Sequence, residues 1–287
     1  MSGEAQVALL ADGRLHLHHG PIDIVAEAFG APGEVRRAYG QAAARFGTIL
    51  AELVTELPLL RRPLGGREPL PTGGVARRMV AACWPHRARW ITPMAAVAGA
   101  VADEVMAAMT AGVALAKAYA NNGGDIALHL APGHRLRAGI VADQDAPALD
   151  ATVAIDHAMP VRGLATSGWR GRSFSLGIAD AVTVLAAGAA AADAAATLIA
   201  NAVTCNHPVI RRQPARLLRD DGDLGDLAVT VAVGALPAAA IEEALACGAR
   251  EAERLRARGL IHAAGLLLQG RARLVGARSA EHIEAAE

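Results

Sequence analysis

The chain has few aromatic residues, few cysteines and almost no lysine. Phe, Trp and Tyr together make up 3% of its 287 residues, so its core must be built largely from small aliphatic side chains. The three cysteines, Cys83, Cys205 and Cys247, lie far apart and form no C-x-x-C pair. This pattern excludes a disulfide framework and is typical of reduced, buried thiols in a cytoplasmic protein. Lys117 is the only lysine, so any lysine chemistry would have to use that residue.

The chain also lacks an excess of charge of either sign and a long uninterrupted apolar run. Its formal net charge is zero, whereas nucleic acids and anionic membranes attract proteins with excess basic charge. Residues 1–11 have neither a basic segment nor a long apolar one, so no signal peptide is predicted. The stretch 92–120 is apolar, but Asp103, Glu104 and Lys117 interrupt it. A buried helix is therefore favoured over a membrane span, and we expect a cytoplasmic protein without nucleic-acid or membrane partners.

Strand-like and helix-like patterns come partly in blocks along the chain. Residues 5–28 alternate apolar and polar side chains about an Asp-Gly turn, which predicts a hairpin. Residues 34–57 have helical periodicity, and a second long helix is predicted from Thr92 to about Asn121. Because strands and helices do not alternate strictly, the order favours an α+β fold over a doubly wound parallel sheet. A single domain over 1–287 is predicted, with a duplication into halves of about 1–125 and 126–287 as an alternative.

Three short polar segments could carry chemistry, and the first is Asn121-Asn122-Gly123-Gly124-Asp125. It is predicted to lie between the end of the second helix and a strand, where Asn and Gly can adopt left-handed backbone conformations. The paired glycines would also allow a ligand to approach the backbone closely. Asp125 would then project at the mouth of the strand and accept hydrogen bonds from a heterocycle or a ribose. The alternative is an ordinary helix stop followed by an exposed Asp.

The second segment is an alanine-rich helix predicted over residues 189–203. Asp193 and Thr197 are four residues apart, so a helix would present a carboxylate and a hydroxyl on one face. Oxygen ligands of this kind suit Mg²⁺. The alternative is that Asp193 caps the helix and Thr197 belongs to the core.

The third segment is Thr166-Ser167-Gly168, which is followed by Arg170 and Arg172. Hydroxyls, backbone amides and two guanidinium groups in a glycine-rich turn could hold phosphate. The alternative is a polar turn without a ligand.

Taken in this order, the segments resemble the ApbE-like superfamily, whose best-known members are Mg²⁺-dependent FAD:protein FMN transferases. The resemblance rests on N-x-G-G-D at 121–125, T-S-G at 166–168, a Val-Thr-Val strand at 182–184 and A-D-A-x-x-T at 192–197. The N-terminal hairpin and the Ile91–Gly99 helix start are similar to an uncharacterised branch of that superfamily, and this likeness covers nearly the whole chain.

The resemblance implies a T-fold-like antiparallel sheet with packed long helices, and it implies roles for individual residues. Asp193 and Thr197 would help to bind Mg²⁺, with a backbone carbonyl beside the paired glycines as a further ligand. A flavin nucleotide, FAD or FMN, would bind at Asn122, Gly123, Gly124 and Asp125, and its phosphates would lie near Thr166, Ser167, Gly168, Arg170 and Arg172. The transferases carry a His-Ile-x-Asp-Pro-x-Thr-Gly segment that this chain replaces by Ser175–Asp180. Asp180 is the acidic residue retained there and is the candidate general base.

The leading interpretation is therefore a protein that binds a flat heterocyclic phosphate compound with Mg²⁺, with nucleotidyl or FMN transfer as its reaction. One alternative is a step in the biosynthesis of a tetrahydromethanopterin-like one-carbon carrier. The other is a heterocycle-binding module without catalysis. By analogy, and because its helices are rich in small residues, the chain is predicted to form a homodimer or a larger homo-oligomer.

Overall fold

The computed structural model describes residues 4–140, 151–219 and 222–276, together with the backbone of 283–285. The chain divides into two compact units. The first comprises Met1–Leu136, Asp156–Ala165 and Ala187–Asp193; the second comprises Arg137–Ile155, Thr166–Ala186 and Ala194–Glu287. Within the ranges that the structure describes, no helix is long and apolar enough to cross a membrane.

The first unit is built from antiparallel strands and three helices. In chain order its elements are β1 (Gln6–Leu9), β2 (Leu15–His19), β3 (Ile22–Gly30), α1 (Pro32–Leu60), α2 (Gly74–Cys83), α3 (Val97–Thr110), β4 (Leu115–Asn122) and β5 (Asp125–Leu130). Each strand pairs antiparallel with the next, so that β3 and β4 are neighbours although three helices separate them in sequence. The beginning of β8 (Gly163–Ser167) extends the order, because Leu164 pairs with Ile126 and Gly163 with Ala127.

Side-chain periodicity explains why the first elements form as predicted. In β2 and β3 alternate residues are buried, as expected for strands with one face on a core. The buried positions of α1 include Ala38, Ala42, Phe46, Ile49 and Leu53, which recur every three or four residues on one helical face. The predicted hairpin and first helix are therefore both confirmed.

The predicted helix from Thr92 to Asn121 is wrong over its second half. A 3-10 turn at Pro93–Ala96 precedes α3, and α3 ends at Thr110. Gly112 follows with φ +63°, a left-handed conformation that stops a helix. The alanine-rich segment beyond it forms strand β4 because β3 and β5 pair with it on both sides, and such tertiary pairing overrides the helical propensity of alanine.

The second unit contains the remaining strands and two helices. Its elements, some of which begin or end in the first unit, are β6 (Arg135–Ile140), β7 (Ala151–Asp156), β9 (Ala181–Ala186), α4 (Ala189–Ala202), β10 (Ile210–Pro214), β11 (Ala228–Val233), α5 (Ala238–Ala257), β12 (Ala263–Leu268), β13 (Arg271–Val275) and β14 (Ile283–Ala285). Strand β12 pairs antiparallel with β9 and β13, β10 pairs with β11, and β7 pairs with β14. Antiparallel strands with packed long helices confirm the predicted α+β class.

Candidate functional site

In the first unit, the first turns of α3 and α4 pack so closely that their backbones are in direct contact. A Cβ atom added to Gly99, in the first turn of α3, would lie 2.3 Å from the carbonyl oxygen of Ala189. A Cβ atom on Gly163 of β8 would lie 2.0 Å from the carbonyl carbon of Gly188. Both distances are far below any van der Waals contact, so glycine is required at both positions for this approach.

Two aspartates cap these helices reciprocally. Asp103 of α3 accepts hydrogen bonds from the backbone N–H groups of Ala189 and Ala190, at 2.9 Å to Oδ1 and 2.9 Å to Oδ2. Asp193 of α4 accepts a hydrogen bond from the N–H of Gly99, at 3.0 Å to Oδ2. Each carboxylate therefore satisfies N–H groups that have no partner within the other helix. The predicted alternative, that Asp193 is a cap, holds for α3 and not for its own helix.

Burial raises the pKa of both carboxyl groups, and like charge adds to the effect at Asp193. Burial and, to a smaller extent, the negative charge of Asp103 raise the pKa of Asp193 from 3.8 to about 7, against the hydrogen bonds from Gly99 and Ala98. Burial also raises the pKa of Asp103, against the hydrogen bonds from Ala190 and Ala189. Two partly buried carboxyl groups in one cluster disfavour the doubly ionised state. A cation at Asp193 would relieve this cost.

The Asn121–Asp125 segment is the turn of a hairpin and does not end a helix, which corrects the sequence-based prediction. Asn122 pairs with Asp125 across β4 and β5, and Gly123 and Gly124 form the turn between them with φ +64° and +105°. Such values are typical of a two-residue type I′ turn, for which a Gly-Gly pair between strands is a recognised signal. Asn121 Oδ1 accepts a hydrogen bond from the N–H of Gly124 at 2.8 Å.

The hairpin is attached to the start of α3. Asn122 is buried, and its Nδ2 donates to the carbonyl oxygen of Ala98 at 3.0 Å. Asn122 and Asp193 thus contact the neighbouring residues Ala98 and Gly99, so the structure brings two of the predicted site segments to one helical turn. Asp125 is the buried first residue of β5, so the alternative of an exposed Asp after a helix stop is wrong, whereas its role toward a heterocycle or a ribose stays a prediction.

The predicted metal ligands both lie on α4. Thr197 is one helical turn after Asp193 and is half-buried, as Asp193 is. Among the residues that the structure describes, no group of three His, Cys, Asp or Glu side chains could hold a metal ion. A Mg²⁺ site built from one carboxylate, one hydroxyl and backbone carbonyls would not form such a group, so the predicted Mg²⁺ site stays a prediction.

The Thr166–Gly168 segment belongs to the second unit and ends a strand, although it was predicted to lie in a polar turn. Thr166 and Thr183 share a hydrogen bond between their Oγ1 atoms at 2.9 Å, which ties β8 to β9. A Cβ atom on Gly168 would lie 2.2 Å from the carbonyl oxygen of Asp180, so close backbone packing requires this glycine. Ser167 is the half-buried last residue of β8. Phosphate binding by this segment stays a prediction.

The carboxylate of Asp180 lies in a hydrogen-bond network of the second unit. Its Oδ1 accepts from Trp169 Nε1 at 3.2 Å and from Arg170 Nε at 3.3 Å, and its Oδ2 accepts from the N–H of Gln269. Gln269 has φ +45°, so Asp180 holds a left-handed turn in place. Arg172 is exposed. The general-base role of Asp180 and the phosphate role of the two arginines stay predictions.

Asp103 is the residue of this region that sequence reasoning missed. In the sequence it stands out only as a charge that interrupts an apolar stretch. The sequence contains one hint, because Asp103 and Asp193 each follow a stretch of mostly small residues, 98–102 and 188–192.

Comparison with known proteins gives both a family and individual relatives. The model of a family described as "AbpE bacteria" matches residues 7–274. A UPF0280 protein of Methanopyrus kandleri is 35% identical over 143 residues, which are 49% of this chain and 56% of the relative. A UPF0280 protein of Methanothrix thermoacetophila is 40% identical over 115 residues, 40% of this chain and 47% of the relative. The chain thus spans about half the length of the curated relatives it matches.

The apo form of the flavinyl transferase ApbE of Pseudomonas stutzeri aligns with a TM-score of 0.43 and 15% sequence identity, over 95% of this chain and 94% of that one.

Proposed function

Because the chain belongs to the family described as "AbpE bacteria", we propose that it binds a flavin nucleotide, or a similar flat heterocyclic compound carrying phosphate, together with Mg²⁺. The expected ApbE-like relationship is confirmed by the family match, and the likeness of its motifs to those of the FAD:protein FMN transferases supports the choice of ligand. FAD is the first compound to test.

The observation that carries the proposal is the junction at the first turn of α3. There the N-x-G-G-D hairpin is anchored through Asn122 to Ala98, and Asp193 is anchored to Gly99. The Gly123-Gly124 turn has no side chains, and a Cβ atom on Gly124 would meet nothing within 4 Å. A flat ligand could therefore approach the turn along its backbone.

The residues at this junction fit a hard cation. Asp193 provides a carboxylate oxygen, and the charge of a bound cation would favour its ionised form, in opposition to the burial that raises its pKa. Mg²⁺ prefers carboxylate, carbonyl and phosphate oxygens, and when bound it would neutralise phosphate charge in a phosphoryl-type transfer. In this proposal Asp193 holds the metal, with Thr197 as a second ligand, and Asp125 orients the heterocycle or the ribose.

The proposal is tested by calorimetric titration of the protein with FAD, with and without Mg²⁺. The informative variant is Asp193→Asn, because the amide oxygen can still accept a hydrogen bond from Gly99, whereas alanine would leave that N–H without a partner. Asp156→Asn is the matched control, since Asp156 also caps a backbone N–H, that of Met159, at 3.0 Å. We expect Mg²⁺-dependent binding in the wild type and the control, and a loss of at least about tenfold in affinity for Asp193→Asn.

Each result has a defined meaning. Equal FAD affinity of the wild type and Asp193→Asn would remove Asp193 from the site. No binding of FAD to the wild type would contradict the flavin proposal, and pterins would then be the next compounds to titrate. Binding without release of any product from FAD would favour the non-catalytic module over a transferase.

A further inference from the structure

Asp103 and Asp193, which cap each other's helices, differ in the residue that lies one helical turn after them. Along α4, Asp193 is followed one turn later by the hydroxyl of Thr197, whereas along α3 the residue four positions after Asp103 is Ala107. Only the α4 carboxylate therefore has a second oxygen ligand at helical spacing. Both helix starts are rich in small residues, but the proposed metal-binding pair lies on α4.

Asp103 binds the start of α4 more completely than an ordinary cap would. Both of its carboxylate oxygens are used, one on Ala189 and one on Ala190. The residue before α4 is Gly188, which has no side chain with which to cap its own helix. A Cβ atom on Gly188 would in turn lie 3.2 Å from Asp103 Oδ2. The backbone at the start of α4 is thus directed by a side chain of α3.

From this geometry we infer that Asp103 is a positioning residue: it fixes the first turn of α4 and thereby the location of Asp193 at the junction with α3. The inference rests on the proposed function for its consequence, because what Asp103 positions is the proposed metal ligand. Asp193 is one turn from Ala189 and Ala190 along α4, so a rotation or shift of that first turn moves its carboxylate away from Gly99.

The test uses two readouts in the 287-residue protein. The first is the backbone amide signal of Gly99 in ¹⁵N-labelled protein, which reports its hydrogen bond to Asp193. The second is the affinity for Mn²⁺ alone, used as a paramagnetic probe for Mg²⁺ and measured by electron paramagnetic resonance. Three variants are compared with the wild type. Asp103→Ala removes both hydrogen bonds to the start of α4, Asp103→Asn keeps one acceptor oxygen, and Asp156→Asn is the control.

We expect Asp103→Ala to shift the Gly99 amide signal and to weaken Mn²⁺ binding by about tenfold or more, as is typical when a residue that orients a metal ligand is removed. Asp103→Asn should show a smaller shift of the Gly99 signal and a smaller loss of Mn²⁺ affinity. It remains informative if the alanine variant does not fold. The control should match the wild type in both readouts.

A shift confined to Ala189 and Ala190, with Gly99 and the Mn²⁺ affinity unchanged, would overturn the inference and leave Asp103 as a local cap. If the wild type binds no Mn²⁺, the metal part of the proposed function fails, but the Gly99 signal still decides whether Asp103 positions Asp193.

Discussion

Glycine at position 99 is required by a backbone contact, and other glycines of the chain are not. The carbonyl oxygen of Ala189 occupies the space into which a Gly99 side chain would extend. Gly47, by contrast, is an exposed residue inside α1, and a Cβ atom there would meet nothing within 4 Å. The two positions therefore form a matched pair for separating steric from conformational effects of glycine.

Replacing Gly99 by alanine should lower the free energy of unfolding by roughly 3 kcal/mol or more, because the two helix starts must separate to admit the methyl group. Gly47→Ala should instead raise it by about 1 kcal/mol, the usual gain for alanine inside a helix. Urea unfolding followed by circular dichroism measures both. A Gly99→Ala protein as stable as the wild type would contradict the backbone contact.

The high pKa of Asp193 predicts a pH dependence of stability. Between the unfolded value of 3.8 and the folded value of about 7, the folded protein retains a proton that the unfolded chain has lost. The contribution of Asp193 to stability is thus fully present below about pH 4, falls as the pH rises, and is lost above about pH 7. The cause is the burial of the carboxyl group, reinforced by the charge of Asp103.

Asp193→Asn removes this titration. Without divalent cations, the stability of the variant relative to the wild type should therefore rise by roughly 2–4 kcal/mol from pH 4.5 to pH 8. Urea unfolding of both proteins in a chelating buffer at several pH values measures the difference. A difference that does not change with pH would mean that Asp193 has an ordinary pKa in the folded protein.

Among the elements, the β4–β5 hairpin contains the N-x-G-G-D motif, and both glycines of its turn have left-handed backbone conformations. Gly123 has φ +64°, which asparagine also adopts, whereas Gly124 has φ +105°, where a side chain is strained. Gly124→Ala should therefore cost about 1–3 kcal/mol of stability, although the added Cβ atom would meet no neighbour.

Gly123→Asn is the control for that experiment, because Asn-Gly is a preferred sequence for a type I′ turn. It should leave the free energy of unfolding within about 0.5 kcal/mol of the wild type. Thermal or urea unfolding measures the stability of the two variants. An equal loss of stability at both positions would contradict the assigned turn.

The elements also differ in how well they could be predicted from the sequence. The amphipathic pattern of α1 and the alternation in β2 and β3 are local properties, so both were predictable. The segment 115–122 was not, because its alanines favour a helix and its strand form depends on β3 and β5, which pair with it along both edges. The reciprocal caps were hidden for a similar reason, since Asp103 lies 86 and 87 residues from its partners.

At the scale of the whole molecule, a homodimer or larger homo-oligomer stays a prediction. Part of its basis was the supply of small residues on the alanine-rich helix α4. In the structure Ala189, Ala192, Ala194, Ala195 and Ala196 are fully buried within the chain, so these side chains are already used in its own packing. Any subunit interface would have to be formed by other surfaces.

The sequence by itself determined the family and fold class of this protein and the segments in which a site should be sought. These follow from motif order, residue spacing and hydrophobic periodicity, all of which are readable along the chain. The tertiary structure alone decided that N-x-G-G-D is a hairpin turn, that Asp125 is buried and that Asp103 and Asp193 cap each other's helices. Those features arise from contacts between residues distant in sequence, where pairing, burial and backbone distance are set by packing and not by local propensity.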